Sequence, residues 1–210
     1  MSQTAHAAIN AASLLAGEQR PDFDVITRWV PKGAHVLDLG CGDGRLLAKL
    51  RDEKRVTGYG VELRDDNVHA CVKKGLNVLQ QDLEGGLSWF EDKSFDIAIL
   101  SLTLQAVHKT EEMMREIARV GKTCIVSVPN FGHWPHRLSV LRGRMPVSKT
   151  LPYEWYNTPN VRVLTIPDFK RLADDVGCRI VEQVVLREDR EVKWLSNLRG
   201  NLALFKLESK

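Results

Sequence analysis

The sequence predicts a doubly wound α/β fold in one domain, with a mostly parallel seven-stranded sheet whose last strand runs antiparallel. Three observations carry this. Apolar, strand-prone runs alternate with segments of helical periodicity between residues 36 and 129, the pattern of strand–helix–strand units wound around a parallel sheet. A glycine-punctuated turn, Gly40-Cys41-Gly42-Asp43-Gly44, joins the first strand to the helix after it. The tail then adds a further helix and two more strands, with no internal repeat, low-complexity linker or second domain.

The elements follow in order. Residues 1–20 are a small-residue leader, either a frayed helix or disordered, and residues 21–210 form the domain. Phe23, Ile26, Trp29 and Val30 recur at helical spacing behind Pro21, a first-turn residue, and Pro31-Lys32-Gly33 breaks that helix. Val36, Leu37 and Leu39 make the first strand, apolar on both faces as a buried parallel strand requires. A helix beginning near Asp43 carries Leu46, Leu47 and Leu50 on one stripe. Val56 to Leu63 is the second strand, residues 65–74 a polar helix closed by Gly75, and residues 77–80 a short third strand. Ser94 to Ser101 is the fourth strand, with Asp96 in a structural place at its entrance. Glu111 to Val120 is amphipathic, and Thr123 to Val128 is the fifth strand, halted by Pro129. Ile166 to Asp175 is the last helix, closed by Gly177; Arg179 to Leu186 and Leu202 to Leu207 complete the sheet.

Composition narrows the class of function. With 43% hydrophobic and 27% charged residues, the 210-residue chain suits a soluble domain with a full-sized core. A formal charge of +3, with its basic residues scattered, gives no support for a nucleic-acid partner. No apolar run reaches the length of a membrane span, and the start lacks the basic region of a signal peptide, so a cytoplasmic protein is expected. Cys41, Cys71, Cys124 and Cys178 stand far apart with no C-x-x-C pair, which favours buried thiols over disulfides; no metal site is expected.

The glycine turn carries the chemistry. Glycines at spacings of two allow positive φ and let a ligand touch bare backbone, while the following helix points unpaired N–H groups at it. The third glycine of a dinucleotide fingerprint would fall at Arg45; here it comes one residue early, at Gly44. Asp38, two residues before Gly40, would repel a diphosphate and attract an α-ammonium group. Glu62 lies 22 residues after Gly40, at the end of the second strand, where a carboxylate can accept hydrogen bonds from two ribose hydroxyls.

Asp-x-Gly-x-Gly-x-Gly with this downstream spacing resembles the first motif of class I S-adenosylmethionine (SAM)-dependent methyltransferases, which have a three-layer Rossmann-like fold. The resemblance implies SAM or S-adenosylhomocysteine as cofactor, with Gly40, Cys41, Gly42 and Gly44 against its methionine half and Glu62 on its ribose. It further implies Asp82 on the adenine amino group beside the Leu83 N–H, although Asp82 would also serve as a helix cap. Leu63 and Ser101 join the same expected cofactor site.

A second stretch, residues 130–160, is dense in aromatics and prolines and predicts an ordered lid of irregular structure. It contains Pro-Asn-Phe-Gly-His-Trp (129–134), Gly-Arg-Met-Pro-Val (143–147) and Trp-Tyr-Asn-Thr-Pro-Asn (155–160). With Leu-Gly-Cys-Gly-Asp-Gly (39–44) and Ser-Leu-Thr-Leu-Gln-Ala-Val (101–107), these resemble the MetW family of methionine-biosynthesis proteins from Arg20 to about Leu207. That resemblance implies a role in methionine synthesis in partnership with a homoserine O-acyltransferase. Trp134, Trp155 and Tyr156 are expected to pack the lid over the sheet rather than to anchor an interface.

Two readings of function follow. The first is a SAM-binding partner of the acyltransferase, reporting the level of the pathway's downstream product. The alternative is a SAM-dependent methyltransferase acting on an unidentified small-molecule acceptor, with His108, His133 or His136 as candidate bases. The Asn/Asp-Pro-Pro-Tyr motif is missing after the fourth strand, which argues against adenine-N6 or glutamine-N5 methylation.

Overall fold

The computed structural model describes residues 20–210, so the expectation for the leader lies, Arg20 apart, outside the described residues. The chain runs α1 (Pro21–Trp29), β1 (His35–Leu39), α2 (Arg45–Lys54), β2 (Thr57–Glu62), α3 (Asp65–Lys73), β3 (Val78–Gln80), β4 (Phe95–Ser101), α4 (Thr110–Val120) and β5 (Gly121–Pro129). There follow α5 (Trp134–Leu141), α6 (Ile166–Asp175), β6 (Cys178–Arg187), β7 (Arg190–Glu191), α7 (Ser196–Arg199) and β8 (Leu202–Ser209). Single 3-10 turns occupy Leu83–Gly85 and Leu104–Ala106.

The sheet order is β3-β2-β1-β4-β5-β8-β6-β7. β1 to β5 pair in parallel, and β8 inserts antiparallel between β5 and β6. The sheet therefore has eight strands where seven were expected. The extra one, β7, is a two-residue hairpin partner of β6, too short to carry any period.

Both faces of the sheet are covered, as its parallel half demands. On one face Leu37, Leu100, Met114, Ile117, Phe169 and Phe205 form a core under α4 and α6, with the Phe169 and Phe205 rings stacked 4.1 Å apart. On the other, Ile26, Val36, Leu47, Leu50, Ile99 and Leu204 pack under α1 and α2. Thr165 and Asp168 start α6 with a reciprocal capping box. Asp96 has the structural place expected of it: one oxygen accepts the His35 N–H at 2.9 Å, the other pairs with Lys122 at 2.8 Å.

The stretch after β5 departs from expectation in two ways. Residues 134–141 form a helix, α5, instead of irregular chain; Pro135 in its first turn is compatible with a helix start. The three large aromatics do not pack against the sheet: Trp134 is 45% exposed, Trp155 71% and Tyr156 70%. The stretch turns His136, Pro146 and Pro159 inward instead. Its base is fixed by the fully buried Asn130, whose amide donates to the carbonyls of Asn197 and Gly200 and whose oxygen accepts the Gly132 N–H. Among the described residues no helix is long and apolar enough to cross a membrane.

A candidate cofactor site at the glycine loop

β1 and β2 lie side by side, with Asp38 opposite Gly60 and Leu39 opposite Val61, so their carboxyl ends open at one place. Gly40, Gly42 and Gly44 all have positive φ (71°, 57° and 78°), and Gly44 is the left-handed cap of α2. That run of left-handed backbone starts α2 at Arg45, two residues later than expected. The loop is stitched to β2, since the N–H groups of Gly40 and Cys41 both donate to the Val61 carbonyl, at 2.8 and 3.1 Å.

Glu62 completes the stitching. Its Oε2 accepts the Gly42 N–H at 2.8 Å, and its Oε1 accepts those of Leu63 and Arg64 at 2.9 and 3.0 Å. Each carboxylate oxygen has two acceptor positions, so capacity remains for a further donor. Behind the loop, Cys41 and Cys71 bring their sulfurs to 3.9 Å; the contact with Cys71, together with burial, pushes the Cys41 thiol well up. A Cβ on Gly44 would strike Leu76 Cδ1 at 2.5 Å and Cys71 Sγ at 2.8 Å, whereas one on Gly42 would meet nothing within 4 Å among the described residues. The open side of the loop is thus at Gly42.

Asp38 is 2% exposed, and burial, partly offset by Arg20 and reinforced by Glu62 and Asp22, pushes its carboxyl from 3.8 up to about 7. Two of those neighbours were not foreseen from sequence. Arg20 and Asp22, 7% and 0% exposed, form a bidentate pair at 2.8 and 2.6 Å. Ser101, at the end of β4, receives a hydrogen bond from Arg20 Nη2 at 2.8 Å and donates to Asp22 Oδ2 at 2.8 Å. The Ser101 hydroxyl is therefore engaged within the protein, 3.3 Å from that of Ser127 as well. An Arg-Pro-Asp at a helix start is too ordinary a signal to reveal this cluster.

The remaining expected residues are distributed around the same edge. Asp82 is exposed beyond β3 and accepts the Glu84 N–H at 2.9 Å, so it does cap the turn Leu83–Gly85. Glu84 in turn accepts the His108 N–H at 2.6 Å and lies 3.3 Å from His108 Nδ1, which ties the loops after β3 and β4 together. His108 is exposed, whereas His133 and His136 lie in the stretch after β5, their rings 5.4 Å apart. Burial, with His136 and Arg187 nearby, lowers His133 to about 4, and its Nε2 is buried with no hydrogen-bond partner among the described residues. His136 Nε2 meets Ser148 Oγ at 3.0 Å. The structure thus gathers Asp38, Glu62, Ser101 and the glycine loop, while among the described residues no hydrogen bond links His108, His133 or His136 to them.

Solved structures with this architecture include a SAM-dependent methyltransferase from Mesorhizobium loti (TM-score 0.69, 18% identity, covering 92% of this chain and 99% of that one). The magnesium protoporphyrin IX methyltransferase of Synechocystis, solved with bound S-adenosylhomocysteine, is similar as well (TM-score 0.65, 16% identity, 90% and 82% covered). At such identities the likeness is one of fold. In sequence, the chain is 40% identical over 173 residues to the bifunctional methionine biosynthesis protein MetXA/MetW of Rhodopirellula baltica. The match spans 78% of this chain and 28% of that longer protein. The family model described as methionine biosynthesis protein MetW matches residues 20–207, and the chain belongs to that family.

Proposed function

We propose that this MetW-family chain binds SAM at the glycine loop and acts in methionine biosynthesis beside a homoserine O-acyltransferase, whose activity or stability it sets according to SAM level. The observation that carries the reading is the cluster of buried carboxylates at the loop. Asp22, Asp38 and Glu62 are countered among the described residues by one buried cation, Arg20. Such a cluster favours a ligand bearing positive charge, and SAM brings a sulfonium and an ammonium. In this reading Asp38 faces the ammonium, Glu62 takes a ribose hydroxyl through its one unused acceptor position, and Asp82 with the Leu83 N–H takes adenine. Gly40, Cys41, Gly42, Gly44, Leu63 and Ser101 frame the pocket between them.

The partner half of the reading is supported by the bifunctional relative, in which a region similar to this chain is part of one longer polypeptide. The surface offered to the partner would be the stretch after β5. It exposes Trp155 and Tyr156 and carries Arg137, Arg142, Arg144, Lys149 and Arg162 against one acid, Glu154. Exposed aromatics with arginine and few acids are the composition of interface hot spots, and this one asks for an acidic rim on the partner. Acyltransferase activity of the mixed proteins, measured across a SAM titration, tests the whole reading; activity unchanged at saturating SAM would sink the regulatory part.

One observation favours the alternative, methyl transfer to a small molecule. His133 is neutral at physiological pH, and its buried Nε2 has no hydrogen-bond partner among the described residues, which leaves that nitrogen open to contact an acceptor. Lowered to about 4, it is too weak a base to take the proton itself. Release of S-adenosylhomocysteine in the presence of candidate acceptors, absent in His133→Ala, would support it.

A further inference from the structure

We propose that Arg20 is the anchor for the α-carboxylate of the cofactor, an assignment that rests on the SAM reading above and extends it to a residue outside the loop. The methionine half of SAM carries an ammonium and a carboxylate. Asp38 offers a counter-charge for the first; the glycine motif contains none for the second. Arg20 supplies it, as the one lysine or arginine among the described residues that is buried.

Its placement is fixed from three sides. Nε and Nη2 grip the two oxygens of Asp22, Nη2 also donates to Ser101 Oγ, and the guanidinium lies over the Phe23 ring at 4.5 Å. Nη1 makes no hydrogen bond among the described residues, and a planar guanidinium with donors to spare is matched to a carboxylate. Ser101 stands two residues beyond Ile99, the β4 residue that pairs with Asp38, so the Arg20 head group is at the level where the glycine loop leaves β1. Its charge is felt at Asp38. One end of the site therefore holds a cation beside an acid, the complement of an amino acid's two charges.

The competing view is that Arg20 and Asp22 merely clasp α1 to the end of β4. Such a clasp would be indifferent to whether the ligand has a carboxylate. Titration calorimetry at pH 8 with SAM, S-adenosylhomocysteine and decarboxylated SAM separates the two. Decarboxylated SAM keeps the adenosine, sulfonium and ammonium and lacks only the carboxylate. The parent protein is expected to bind SAM at least about tenfold tighter than decarboxylated SAM, as loss of a charge-assisted hydrogen bond predicts. The double variant Arg20→Met/Asp22→Leu removes both members of the pair and leaves no lone buried charge. It is expected to lose about ten- to a hundredfold for SAM and S-adenosylhomocysteine, with decarboxylated SAM changed by less than about threefold.

A parent that binds SAM and decarboxylated SAM equally well overturns the assignment, and that measurement requires no variant to fold. So does a variant that loses all three ligands in equal proportion. Failure of the parent to bind any of the three would instead remove the SAM reading, and the Arg20 assignment with it.

Discussion

Two of the loops that leave the carboxyl ends of parallel strands in this molecule, those after β1 and β5, are built in opposite ways. After β1, charged groups are buried and held by hydrogen bonds: Glu62 takes three backbone N–H groups, and Arg20 is locked to Asp22 and Ser101. After β5, the large aromatic side chains Trp134, Trp155 and Tyr156 are exposed, while His133 Nε2, Tyr153 Oη and Asn160 Oδ1 are buried without hydrogen-bond partners among the described residues. The first region is held by its own hydrogen bonds at the cost of burying acids. The second leaves its largest aromatics in solvent. Substitutions should therefore act on stability in the first region and on association in the second.

The largest effect is expected at Asp38. A carboxyl raised from 3.8 to about 7 is stabilised in its protonated form by folding, so its contribution is full below pH 4 and is lost as pH rises through about 7. The loss amounts to about 4 kcal/mol by pH 8. Asp38→Asn should therefore be more stable than the parent at pH 8, with the gap closing toward pH 4, while its affinity for SAM falls by tenfold or more. The sign reverses for the ligand. An ammonium favours ionised Asp38, so SAM binding by the parent should tighten by about tenfold per pH unit up to about pH 7 and then level off. Urea unfolding and calorimetry across pH 5–8 check both, and a parent and variant with parallel pH profiles would refute the account. The groups that share this field are Arg20, Asp22, Glu62 and Cys41.

Glu62→Ala comes next. It strands the N–H groups of Gly42, Leu63 and Arg64, for a loss of about 3 kcal/mol, and removes the proposed ribose acceptor, so SAM affinity should drop about a hundredfold. Unchanged affinity in a folded variant would place the ribose elsewhere.

The glycines allow a finer test within the same loop. Gly44→Ala meets both a left-handed backbone and the Leu76 and Cys71 side chains, and should lose about 2 kcal/mol; Gly42→Ala meets the backbone penalty alone, about 1 kcal/mol. SAM affinity should follow the reverse order, because the Gly42 side of the loop is the open one. Equal stability losses at the two positions would mean that the contacts behind Gly44 yield freely.

These differences explain what could be read in advance. Asp38, the three glycines and Glu62 belong to one contiguous strand–turn–helix–strand unit, where the need for positive φ and for an acid at the strand end writes itself into local spacing. Arg20 and Asp22 meet Ser101 across about 80 positions of chain, and nothing local encodes that meeting. Sequence alone places Trp134, Trp155 and Tyr156 against the sheet because large apolar side chains usually bury, but that rule runs one way only, and exposed ones are the informative exception. The eighth strand and α5 were missed for a simpler reason: two residues, or eight that include a proline, carry too weak a period.

The smallest effect on stability, and the sharpest on the comparison, is expected at Trp155 and Tyr156. Their rings touch edge-to-face at 5.8 Å and both are mostly in solvent, so Trp155→Ala and Tyr156→Ala should unfold within about 0.5 kcal/mol of the parent and bind SAM unchanged. If the stretch after β5 is the docking surface, the same variants should weaken co-purification with the proposed homoserine O-acyltransferase partner by about tenfold or more, as truncation of an aromatic hot spot does. Reversing charge at Arg142 and Arg144 should slow association most at low salt, since rim charges act on encounter. Full acyltransferase binding by Trp155→Ala and Tyr156→Ala would move the interface off this stretch. A large loss of stability would instead show that the exposed rings brace the fold, and the contrast between the two loops would fail.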